Sequence, residues 1–167
     1  TTEIYTLSLH DALPICRDDS LSLFWRTMAD EEKQHVELWK TLKRLALSGA
    51  LPDAFDDPGR VLDELRSIIP KVRTLKADCQ SAYDARAALL IAYRLEFYFL
   101  NPSFSRLLHM VPSETDDDPV VSYEAHIRRF VDTLAAQSAV SVELELLGDT
   151  LSRLWTENRR LADQAVR

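Results

Sequence analysis

The stretch MADEEKQHVELW, residues 28–39, decides how this chain is read. Within it Glu32 and His35 stand three apart, so on an α-helix they project from adjacent places on one face. That face is otherwise apolar: Trp25, Met28, Trp39 and Leu42 follow it at helical spacing, and Glu32 and His35 fill the gap between them. A carboxylate and an imidazole directed at a core are costly unless partnered. A shared metal ion is one partner that satisfies both. The alternative is the ordinary fate of a Glu-x-x-His on a helix, a solvated face without a role.

The helix carrying this stretch is expected to begin at Asp19 or Ser20, either of which suits an N-cap. It should run to about Ser48, where Gly49 and then Pro52 stop it. With only three glycines in 167 residues and helix formers filling the spans between proline-bearing breaks, the chain reads as all-α. Residues 49–81 form a long crossover, with a short amphipathic helix at about Arg60 to Ile69, cut by Pro70, and a second segment through Leu75. A connection of this length suits traversal of a helical bundle rather than a tight turn. The next helix, at about 82–109, is the most apolar. The acidic PSETDDDP (112–119) separates it from a helix at about 120–139, with Asp118 as N-cap and Pro119 in the first turn. A tail helix at about 142–165 places Leu144, Leu147, Leu151, Leu154 and Leu161 on one side.

The first sixteen residues, TTEIYTLSLHDALPIC, follow neither a helical nor a strand period, and they lack the basic start of a signal peptide. Residues 1–15 match, residue for residue, the in-frame translation of a common short-read sequencing adapter. They are therefore expected to be non-native, with residues 17–167 forming one helical domain. His10, Asp11 and Cys16 then carry no functional weight, which leaves Cys79 as a lone cysteine. A lone cysteine argues against a disulfide scaffold or a cysteine-based zinc site and fits a reducing cytoplasm.

The net charge of −7 is spread without a basic stripe, since Arg128–Arg129 and Arg159–Arg160 are isolated doublets. No nucleic-acid partner is expected. The longest apolar run, LLIAYRLEFYFL (89–100), is interrupted by charge and falls short of the ~20 residues of a membrane span, so no membrane partner is expected either.

A second acid sits on an apolar face. Glu96 has Ala92, Tyr93, Phe99 and Leu100 three and four residues away. It is either a ligand aimed inward or a carboxyl group paired internally, with Arg94 or a tyrosine hydroxyl. In YEAHIRRF (123–130) His126 is a third candidate. Tyr123 lies three residues before it, and Glu124 lies at the wrong spacing to share its face. Either Tyr123 stands in for a carboxylate, or Glu124 turns inward while His126 lies at the edge. His109, at the end of its helix, reads as a charge partner for that terminus. Trp25, Trp39, Tyr93 and Tyr98 read as core rather than as redox relays.

Glu-x-x-His on one long helix, a lone inward Glu on another and a long crossover between them resemble the ferritin-like superfamily, most closely its rubrerythrin-like branch. The likeness covers most of residues 20–135, with MADEEKQHVELW its strongest piece and RLEFYF the next. It implies a ferritin-like bundle around a di-iron or di-manganese site, to which two helices each bring a Glu and two others each a Glu-x-x-His. By resemblance Glu32 and His35 supply one such pair, Glu96 a lone carboxylate, and His126 a further ligand, with Tyr123 or Glu124 in the place of its missing Glu. The family's first helix is expected to be missing from this chain, so that the site is incomplete as given. Oxidoreductase or iron-handling chemistry follows as the implied function, with an external electron donor because the chain has no rubredoxin-like cysteine pairs. The competing reading is a metal-free bundle acting in protein association, whose extra C-terminal helix covers the bundle or forms a homodimer seam.

Overall fold

The first helix, α1 (Asp19–Leu47), buries Leu21, Phe24, Trp25, Met28, Ala29, His35, Val36 and Leu42, a stripe at helical spacing. Gly49, at φ 72°, ends it in the left-handed conformation that glycine adopts without a Cβ penalty. In this computed structural model residues 19–53, 55–79, 84–111, 118–137 and 142–165 are described. The adapter-like residues 1–16 lie outside them. So does most of the PSETDDDP stretch.

Five further helices follow, and no strand occurs among the described residues, so the chain is an all-α helical bundle. They are α2 (Pro58–Cys79), α3 (Ala85–Phe99), α4 (Pro102–Leu108), α5 (Pro119–Ala136) and α6 (Val142–Ala165). No described helix is long and apolar enough to cross a membrane. The chain divides into two compact units. One comprises α1, α2 and α3 as far as Leu95; the other comprises Glu96 onward together with the short stretch after α1.

Two helix boundaries differ from the sequence expectation. The crossover helix is not cut at Pro70, because α2 runs through it. Its inward positions, Val61, Leu65, Ile68, Val72 and Leu75, continue at alternating spacings of four and three on both sides of the proline. Burying Val72 and Leu75 on the same stripe as Val61 offsets the backbone bond that Pro70 cannot make. Since Pro70 is itself exposed, the Pro70→Ala variant should be more stable by about 1–3 kcal/mol, the helix-interior cost of proline less its effect on the unfolded chain. Urea denaturation of the two proteins checks this.

The most apolar helix is not continuous to His109. It breaks between α3 and α4 at Asn101–Pro102, because the residue before a proline is pushed out of the helical region. Asn101 adopts φ −66°, ψ 134°, and its side chain accepts a hydrogen bond from Ser103 N, capping α4. Asp118 caps α5 in the same way, accepting from Val120 N at 2.8 Å, with Pro119 in the first turn as expected.

In the second unit α6 packs against both α4 and α5. On α5 the buried face is Val120, Tyr123, His126, Ile127, Phe130 and Leu134. On α6 it is Leu144, Leu151, Trp155, Asn158 and Ala162. The α6 face is rotated from the leucine side expected from sequence: Leu161 is exposed, and Trp155 and Asn158 are inside. Gly148 lies on this seam, where a Cβ would meet Val131 Cγ1 at 3.5 Å and Leu134 Cβ at 3.6 Å.

Candidate metal centre

In the first unit, α1 carries Glu32 and His35 one turn apart at mid-helix. His35 is buried and Glu32 half-buried, and His35 Nδ1 lies 3.5 Å from Glu32 Oε2. At that distance the two form a loose ion-pair geometry rather than a short hydrogen bond. Tyr93, on α3, has its phenol raised above the ordinary value by burial and so remains a protonated hydroxyl near neutrality.

In the second unit, Glu96 and His126 meet. His126 Nε2 lies 3.2 Å from Glu96 Oε1, with the His126 side chain wholly buried and that of Glu96 7% exposed. Glu96 thus pairs internally, with His126 rather than with Arg94 or a tyrosine. Its second oxygen, Oε2, is buried and has no hydrogen-bond partner. Buried carboxyl oxygens are seldom left in that state, and each one calls for a donor or a cation.

Glu124 does not turn inward, and His126 is not at the edge. Glu124 accepts from Arg128 Nη2 at 3.0 Å, one turn along α5, and from Arg159 Nη1 of α6. Two residues apart on a helix amount to about 200° of rotation, so the fully buried His126 and the part-exposed Glu124 face different ways. Tyr123 does share the His126 face. Its ring stacks on the imidazole with centroids 5.7 Å apart and packs against Trp155 at 5.2 Å. It orients the imidazole by its face and supplies no carboxylate. His109 behaves as a terminus partner: it caps α4, with Nδ1 2.8 Å from Ser105 O and Nε2 3.2 Å from Asp163 Oδ1.

Glu32 and His35 in the first unit, and Glu96 and His126 in the second, are side chains of the kinds that can hold a metal ion. Carboxylates and imidazoles are donors that suit iron, manganese or zinc. What sequence reading missed is the support around His126. Trp155 and Asn158 were legible as members of the 151, 155, 158, 162 stripe, but the leucines of α6 drew the face elsewhere. No protein-family model and no curated protein matches the chain.

Proposed function

We propose that this chain is a metal-binding helical protein of the ferritin-like, rubrerythrin-like kind, with di-iron or di-manganese carboxylate chemistry in an oxidoreductase or iron-handling role. The observation that carries the reading is Glu96, a buried carboxyl group that touches His126 with one oxygen and leaves the other without a hydrogen-bond partner. The Glu32–His35 pair, at the spacing of a metal-binding helix, supports it. Iron or manganese held by such donors with open coordination positions supplies Lewis-acid, dioxygen or peroxide chemistry. The chain's own part is to bind through Glu32, His35, Glu96 and His126, to orient His126 by the Tyr123 ring, and to exclude water from the buried pair. A reducing compartment such as the cytoplasm, an external electron donor and a homodimer belong to this proposal.

Metal analysis tests it. The chain loaded anaerobically with Fe(II), or with Mn(II), should retain close to one ion or more. Glu32→Ala or His35→Ala should weaken binding by more than the roughly 10- to 100-fold that loss of a mere outer-shell partner costs. Retention well below one ion per chain, unchanged in both variants, would rule the metal reading out.

The second reading, a metal-free bundle acting in protein association, has one observation in its favour. Tyr123 fills the place three residues before His126 where the metal pattern has a carboxylate, and its ring is used in packing against Trp155.

A further inference from the structure

Asn158 stands one turn after Trp155 on α6, and its side chain is buried. Its Nδ2 donates to the carbonyl oxygen of Leu100, the residue just past the end of α3. That carbonyl belongs to a helix terminus, where no intrahelical partner is available to it. Leu100 N donates in turn to Glu96 O at 2.8 Å, so the turn anchored by Asn158 is the turn that carries Glu96. On the same stripe of α6, Trp155 packs on Tyr123, and Tyr123 stacks on His126. Two residues of α6, three apart, therefore hold both halves of the Glu96–His126 pair: one through the backbone of α3, the other through a ring on α5.

We propose that Asn158 is a positioning residue for the Glu96–His126 pair, setting the register in which the Glu96 carboxyl group meets the imidazole and, with it, metal affinity. This rests on the metal reading above. A charged or longer side chain at 158 would not serve. The space is closed, and the role needs a donor aimed at one carbonyl; Asn offers that donor at short reach without a charge to desolvate.

The test uses the full chain and the variants Asn158→Leu and Asp163→Asn. Leucine keeps the branched shape and length and removes the donor. The Asp163 change breaks the tie between α6 and His109 of α4 and leaves α3 untouched. Two quantities are read: Co(II) affinity, and the ¹⁵N resonance of the His126 ring in the metal-free protein. With Asn158→Leu, affinity should fall by about 10- to 100-fold and the ring resonance should move; with Asp163→Asn, neither should change. Equal losses in both variants would show that α6 contributes only general stability, and would overturn the proposal. Unchanged affinity and resonance in Asn158→Leu would overturn it while leaving metal binding intact. If the unaltered chain binds no Co(II) but the resonance still moves in Asn158→Leu alone, the metal reading fails and the positioning role stands.

Discussion

Replacing His126 with leucine is expected to destabilise the metal-free protein by about 3–5 kcal/mol, the range for removing one partner of a buried pair. Glu96 would then be buried with neither oxygen partnered, since Oε1 has only His126 and Oε2 has nothing. The double variant Glu96→Leu/His126→Leu should recover most of the loss, or exceed the original stability, because two apolar side chains in a dry site need no partners. Urea midpoints of the two single variants and the double variant close the thermodynamic cycle. A pair retained although leucines would be more stable is retained for something other than folding. A double variant as unstable as the worse single one would instead make the pair a structural element and weaken the case for a ligand role.

Phe130→Ala should cost a similar amount, about 3–5 kcal/mol, as the truncation of a fully buried aromatic ring. Phe130 follows His126 by one turn on the inward face of α5. Its loss opens a cavity in the second unit without touching a donor atom. Denaturation should therefore register the change strongly, while Co(II) stoichiometry measured well below the transition should stay as it was. Together the two substitutions separate what holds α5 in place from what α5 presents. The residues are adjacent on one face, so their effects should not add when combined.

Periodicity carried the fold a long way. The alternation of three and four through Trp25, Met28, Glu32, His35, Trp39 and Leu42 placed α1 and put Glu32 and His35 at its middle, and Asp118–Pro119 marked the start of α5. Proline was the weaker guide. Pro102 broke a helix and Pro70 did not, because Pro102 follows an asparagine able to cap the new helix, whereas apolar positions on both sides of Pro70 share one stripe. For the site, sequence spacing identified which residues share a face but not what faces them. Glu96 stood out as an acid among apolar neighbours, yet that its partner is His126, thirty residues on, is set by how the helices of the second unit pack. The choice between Tyr123 and Glu124 turned on a rotation of α5 that spacing alone leaves open. Arg159, outside the stretch being read, draws Glu124 away.

Gly148 faces α5 across the seam, yet the nearest atoms to a Cβ there, at 3.5 and 3.6 Å, are at ordinary contact distance. The seam thus has room for one methyl group. A glycine inside a helix weakens it by about 1 kcal/mol relative to alanine, and here no tight approach of backbones requires that sacrifice. The helix that anchors both halves of the Glu96–His126 pair is consequently held looser than its own packing demands.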